Sequence, residues 1–317
     1  AESPTTTAGA PSARGGEAPA LVAGKVQGRG AVCMAVKDVG RKRGQLDKLK
    51  QVATEIASLF TESKIVVVES NSRDNSKALL REWQAKAKPD TVQLMLMPSE
   101  KRSLAYWRNV YLKEVLAAQP AYDYMVVIDG DMVAYDVSGI RDTLVNTGHI
   151  FWGVMTANGQ RFRDKCYYDI FAFRNEQWRW SPVTGDSIPF GRSVKEKFEV
   201  KIGPKWPPLR VQSGFGGIGV YKTKYLNGCE YCEFDCHRQS GGGKRRTRVC
   251  EHVPFHDCIT RKNGAPIYIN PKMVALWHKD CANCAPHCDC APDFTNSTAG
   301  TTFNDGRVTR DTLILKP

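Results

Sequence analysis

No apolar run in the 317 residues approaches the ~18–20 needed to cross a bilayer, so no membrane-spanning helix is expected within them. H-E-x-x-H, the signature of a common class of zinc hydrolase, is absent, and so are the regular paired C-x2-C knuckles of finger and ribbon modules. No internal repeat is visible, which excludes solenoids and propellers. No nucleic-acid-binding signature accompanies the formal charge of +12, whose 45 Lys and Arg residues are scattered along the chain. Large apolar residues are nearly missing from residues 1–28, so this segment offers too little surface to offset its ordering entropy and is expected to be a flexible stem. No signal peptide is visible either. The expectation is that any targeting segment or membrane anchor lies upstream of the sequence given.

Elsewhere the composition is that of a globular protein. Hydrophobic residues make up 42% and charged residues 25%, which supports a sizeable core. Nine of the eleven cysteines lie between Cys229 and Cys290. Two readings stand here, disulfides formed in an oxidising compartment or a zinc site, and compartment habits favour disulfides. The sequon at Asn296-Ser297-Thr298 leans the same way.

From residue 31 the pattern alternates. Apolar runs at 31–36, 64–70, 92–97 and 124–131, the last ending in acidic residues, read as strands. Helical periodicity marks residues 46–60, 76–86 and 102–118, the first through Leu46, Leu49, Val52, Ala53, Ile56, Leu59 and Phe60. The alternation implies an α/β fold with a mostly parallel central sheet flanked by helices. Ligands of such sheets bind beyond the carboxyl ends of the strands, where Glu69 and Asp129 fall. Further strands are expected at 150–157, 167–174 and 267–278, with a helix from Ser138.

Asp129-Gly130-Asp131 closes the fourth strand. Two carboxylates this close repel unless a cation neutralises them, and oxygen ligands suit Mg²⁺ or Mn²⁺. The competing reading is an acidic turn ahead of the next helix. Gly214, Gly216 and Gly219 spell G-x-G-x-x-G, but a dinucleotide fingerprint belongs after the first strand and opens a helix. Here VYK follows, which reads as strand. The glycines therefore serve either a close approach to substrate or a tight turn. His252 and His256 are spaced i, i+4, but Pro254 lies between them and argues against a zinc pair.

Taken in order, these motifs resemble the metal-dependent nucleotide-sugar glycosyltransferases of the GT-A fold. The D-x-D is Asp129-Gly130-Asp131, and the glycine-rich acceptor loop is Ser213–Gly217. The acidic motif heading a late helix is Cys250-Glu251-His252, with histidine where aspartate is usual. The metal-joining histidine is His278. Arg108-Asn109 matches the Arg-Asn of the helix before the D-x-D strand, and 69–83 is similar to the nucleotide-binding strand–loop–helix. Within the superfamily the chain looks most like fungal capsule-associated α-1,3-mannosyltransferases, through ESNSRDNSKALL and YYDIFAFRNE.

The resemblance implies a stem over 1–28, a catalytic domain over 29–290 and a tail over 291–317. The domain would comprise a Rossmann-like nucleotide half to about 131 and an acceptor half with a Cys-rich C-terminal region. It implies Mn²⁺ or Mg²⁺ on Asp129, Asp131 and His278, and a GDP- or UDP-linked sugar held by Glu69, Ser70, Arg108, Asp129 and Gly130. Gly214, Gly216 and Gly217 would face a glycan or glycoprotein acceptor. Glu251, His252 and Asp169 are the candidates for contact with its hydroxyl, and the Golgi or secretory-pathway lumen is the expected setting. A non-enzymatic polyanion binder and a nucleotidyltransferase are the alternatives.

Overall fold

The computed structural model describes residues 19–41, 44–98, 100, 102–161, 165–175, 199–233, 249–277 and 312–314. The stem reading for residues 1–18 and the tail at 291–311 and 315–317 lie outside the described residues. Strand β1 (Leu21–Val22) pairs with the start of β2 (Lys25–Val36), so regular structure begins before the apolar run at residue 31. Helix α1 (Gln45–Ser58), β3 (Phe60–Glu69), α2 (Ser76–Lys86), β4 (Val92–Leu96), α3 (Leu104–Ala117) and β5 (Tyr124–Ile128) follow. The second half adds β6 (Ala134–Tyr135), α4 (Val137–Asn146), β7 (Val154–Arg161), β8 (Glu199–Lys201) and β9 (Leu209–Val211). After these come β10 (Ile218–Lys222), α5 (His252–Asn263), β11 (Ile267–Trp277) and β12 (Thr312–Ile314).

Ten strands form the central sheet, in the order β4-β3-β2-β5-β10-β7-β11-β6, with β1 beside β2 and β9 beside β11. The first four of that order are parallel. The chain leaves β2 outward through β3 and β4, then crosses back to place β5 on the other side of β2. That reversal is a topological switch point, and a crevice opens there beyond the strand ends. β10 runs antiparallel to both β5 and β7, whereas β7 and β11 are parallel. The sheet is thus parallel in its first half and mixed in its second.

Apolar runs without alternation mark strands buried on both faces, and the packing follows from this. Val32, Met34, Ile65, Val67, Val126 and Ile128 face one core with α1, α2 and α4. The intervening residues Ala31, Cys33, Val66, Val68, Met125 and Val127 face a second core with α3 and α5. Helix α1 buries Leu46, Leu49, Val52, Ala53 and Ile56 on one face, each large side chain contributing about 1.5–3 kcal/mol by area. Helix starts are marked by polar caps. Ser103 accepts from the Tyr106 N–H, and Asp136 from Ser138 and Gly139.

The stretch 167–174 is not the expected strand. Only isolated bridges at Tyr167 and Arg174 remain. The Asp169 carboxylate accepts the Ala172 N–H and its carbonyl the Phe173 N–H, closing a turn where a ladder would have continued. Between the cysteine readings, Cys229 and Cys258 form a disulfide across 29 residues of sequence, and Cys232 is also disulfide-bonded. The Cys229–Cys258 bond ties the segment after β10 to α5. Cys229→Ser or Cys258→Ser should cost about 2–4 kcal/mol by freeing that loop in the unfolded chain. The check is an unfolding curve that lies lower for the variant without reductant and that reductant shifts less in the variant than in the wild type, since Cys232 keeps its own disulfide.

Candidate active site

Strand β5 delivers Asp129 to the switch point, and three elements then hold the turn that follows. The Asp129 N–H donates to the Gly217 carbonyl at 2.9 Å. The Tyr135 hydroxyl donates to the Asp129 carbonyl, and the Gln45 side-chain amide to that of Gly130. A Cβ on Gly130 would meet only ordinary contacts, the closest at 3.4 Å from Leu49. Its lack of a side chain is therefore not required by packing. Asp131 is exposed, while the Asp129 side chain is only 30% exposed.

Arg108, on α3, is the centre of the site. Its residue is 1% exposed, and all three of its nitrogens have partners. Nη2 donates to Asp129 Oδ1 at 2.7 Å, Nε to Glu251 Oε1 at 2.9 Å, and Nη1 to the Tyr111 hydroxyl at 3.1 Å. Its guanidinium also lies 5.0 Å from the Phe215 ring centre. The expected role of a fork offered to a diphosphate does not match this geometry, because the fork is filled by two carboxylates and a phenol. Asn109, its neighbour in the Arg-Asn pair, exchanges two 2.8 Å hydrogen bonds with the Tyr231 backbone.

Glu251 heads α5 but does not cap it. Its side chain turns to Arg108 and is 14% exposed. His252 lies buried, stacked on Phe215 at 3.8 Å. Burial and the Arg108 charge hold its pKa well below the usual value. A ring so enclosed has no face for an acceptor, so the expectation of His252 as a base is not met. Asp169 accepts the Gly216 N–H at 3.0 Å as well as that of Ala172. Burial pushes its carboxyl up to about 6, with those backbone donors opposing.

The glycine-rich loop serves packing. Gly216 and Gly217 have φ of +64° and +90°, a region that favours glycine. A Cβ at Gly216 would lie 2.4 Å from the Ala157 carbonyl oxygen, and one at Gly217 would lie 2.7 Å from the Met132 sulfur. Gly214 is buried, and its added Cβ would come no nearer than 3.2 Å to the Thr156 hydroxyl. The close approach that Gly216 and Gly217 allow is thus to β7 and to the D-x-D turn.

Glu69 ends β3, fully buried. Oε1 accepts the Ser72 N–H at 2.6 Å, while Oε2 has no hydrogen-bond donor among the described residues and lies 3.8 Å from Lys77 Nζ. A carboxylate oxygen left this way is a ready acceptor for a ligand N–H or O–H. Ser70 uses both its N–H and its hydroxyl on the Val36 carbonyl, at 2.9 and 3.1 Å, and so orients the strand end. His278 lies outside the described residues. Trp107 and Trp152 are 5% and 2% exposed and belong to the core.

Among the described residues, no three His, Cys, Asp or Glu side chains meet as a metal cluster. Charge and donor chemistry nevertheless fit a cation. Asp131 and Glu251 both act on Asp129, and Glu251 on Asp169, so four carboxylates gather here while Arg108 pairs directly with two of them, Asp129 and Glu251. Burial and Asp131 raise the Asp129 pKa against the opposing pull of Arg108. A hard divalent ion at Asp129 and Asp131 would relieve that excess. Tyr111, Tyr221 and His256, which also build the site, were not singled out as ligands by any motif. Tyr111 was accessible as the i+3 neighbour of Arg108.

No protein-family model matches the chain, and no curated protein matches it. Among solved structures it is similar to a mannosyltransferase from Pyrobaculum calidifontis in complex with GDP-Man and Mn²⁺, at 17% identity and a TM-score of 0.46, covering 80% of this chain and 59% of that one. It is also similar to residues 1–349 of TarS from S. aureus, at 13% identity and a TM-score of 0.45, over 79% of this chain and 60% of that one. GalNAc-T7 with UDP, GalNAc and Mn²⁺ gives 12% identity and a TM-score of 0.46, over 79% and 44%. The chain thus spans about half to three fifths of these proteins. With TM-scores below 0.5, any function has to be argued from the site itself.

Arg108→Met should destabilise the fold by about 3–5 kcal/mol, because it strands two partly buried acids. Urea unfolding of the wild type, R108M and R108K measures this, with R108K intermediate. Asp169 gives a pH test. Its folded pKa near 6 exceeds the ordinary 3.8, so the native state binds the extra proton. Its contribution is greatest below pH ~4 and is lost as pH rises through 6. Asp169→Asn should flatten the stability profile across that window, at a pH-independent cost, because its amide oxygen can accept only one of the two backbone N–H groups that the carboxylate oxygens take. Chemical denaturation at pH 4, 5, 6 and 7 checks the slope.

Proposed function

We propose that the chain is a metal-dependent nucleotide-sugar glycosyltransferase that moves a hexose to a hydroxyl of a glycan or glycoprotein. One observation carries the reading. At the switch point, Asp129, the first acid of the strand-end Asp129-Gly130-Asp131 turn, is joined through Arg108 to Glu251, a carboxylate at the head of α5 in the acceptor half. A simple acidic turn ahead of α4 does not explain this, since Asp136 already caps that helix.

In this reading the Glu69 Oε2 acceptor takes a hydrogen bond from the base or ribose of the nucleotide. Asp129, Asp131 and His278 would hold Mn²⁺ or Mg²⁺. When bound, the ion neutralises charge that develops on the departing nucleoside diphosphate. Glu251 accepts a hydrogen bond from the attacking hydroxyl, and Arg108 fixes the carboxylate that does so. Asp169 holds the Gly216 amide and so the loop that borders the acceptor. The fungal mannosyltransferase resemblance favours GDP-mannose as donor and retention of configuration. The cysteine chemistry and the sequon favour a secretory-pathway lumen such as the Golgi.

Thermal melting with GDP, UDP, GDP-mannose and UDP-sugars, each with Mn²⁺ and with EDTA, tests the proposal. A nucleotide diphosphate should raise Tm only with metal. Asp131→Asn should cut sugar transfer at least 100-fold, measured as nucleotide release against an acceptor. Metal-independent turnover, or no stabilisation by any nucleotide, would count against it. Release of pyrophosphate would turn the reading to a nucleotidyltransferase.

A further inference from the structure

Beneath Glu251, polar side chains with no direct part in that chemistry stand in a row. Ser213 Oγ is 3.1 Å from His256 Nδ1, and His256 Nε2 is 3.1 Å from the Tyr221 hydroxyl. That hydroxyl is 3.4 Å from His252 Nδ1, and His252 Nε2 faces Glu251 Oε1 at 3.7 Å. Ser213, Tyr221, His252 and His256 are each no more than 1% exposed. They come from three segments: the glycine-rich loop, β10 and α5.

Burial keeps both rings uncharged, with His256 pushed down to about 3 and His252 well below its ordinary value. What can vary is which ring nitrogen carries the hydrogen. Tyr221 supplies a single O–H between two ring nitrogens. When it donates to one ring and accepts from the other, the two imidazoles share one tautomer. If both are Nε2–H, Ser213 donates to His256, His256 to Tyr221, Tyr221 to His252, and His252 points its N–H at Glu251. If both are Nδ1–H, a lone pair on His252 faces the Glu251 carboxylate instead. The ion pair to Arg108 makes Glu251 an acceptor, and like-charged lone pairs disfavour the second arrangement. His252 Nε2 has no hydrogen-bond partner among the described residues, its 3.7 Å separation from Glu251 Oε1 being just beyond hydrogen-bond reach. A buried donor in that position draws the carboxylate toward it.

We propose that Ser213, His256, Tyr221 and His252 form a directed hydrogen-bond chain, both imidazoles Nε2–H, that positions the Glu251 carboxylate for the acceptor hydroxyl. The four are positioning residues: none touches a substrate, and the role rests on Glu251 facing the acceptor as argued above. The chain links the glycine-rich loop to the head of α5, so the loop's placement is transmitted to the orientation of the acid.

The test is ¹⁵N NMR of histidine-labelled, unliganded protein, with steady-state transfer kinetics. The wild type should show His252 and His256 both protonated on Nε2. Tyr221→Phe, which removes only the shared O–H, should break the pairing so that at least one ring becomes a tautomer mixture. The same variant should lower kcat about tenfold, the worth of one buried hydrogen bond, with KM for the nucleotide-sugar unchanged. If that variant does not fold, Ser213→Ala removes the far end of the chain and is read the same way through His256. Opposite tautomers in the wild type, a charged imidazole, or a Tyr221→Phe protein with unaltered signals or unaltered kcat overturns the proposal. Paired tautomers in a protein that transfers no sugar would instead overturn the transferase reading and leave the chain standing as a structural device.

Discussion

A single buried guanidinium sets the terms for everything around it. Arg108 cannot be deprotonated at any ordinary pH, so once α3 packs against the sheet its charge must be met by acids. Asp129 comes from the end of β5 and Glu251 from the head of α5, 143 positions from Arg108 in sequence. The pairing is costly to assemble and costly to break: desolvation consumes much of the Coulombic gain, and loss of one member leaves a stranded charge. A pair of this kind is weak evidence for stability, and its worth lies in fixing where two carboxylates point.

The glycine-rich loop supplies the second constraint. Gly216 and Gly217 let its backbone press onto β7 and Met132, closer than any side chain would permit. That approach lets the Gly217 carbonyl take the Asp129 N–H and puts Phe215 against both Arg108 and His252. The loop, the D-x-D turn and the head of α5 therefore form one packed unit. A displacement in any of them is felt by the others.

Much of the first half was legible from residue order. Residues 76–86 form α2 over the span their pattern indicates, and the strands at 92–96 and 124–128 fall within the expected 92–97 and 124–131, the second stopping before its acids. Doubly buried parallel strands write themselves as unbroken apolar runs, so their signal is local. β2 begins earlier than its apolar run because its first residues pair at the sheet's end, where one face is open to solvent. The failure at 167–174 has the opposite cause. An aromatic-rich string has strand propensity, but Asp169 captured its own backbone and a glycine amide from elsewhere in the chain.

Sequence by itself settled the α/β alternation, the strand-end placement of Glu69 and Asp129, and the acid pair, because each follows from neighbours a few residues apart. Tertiary structure alone decided that Arg108 turns to Asp129 and Glu251 rather than outward, that His252 lies beneath Phe215, and that Tyr221 stands between two imidazoles. Those outcomes depend on which side chains meet across the sheet after burial has removed water as a competing partner. Spacing along a chain carries no record of such meetings.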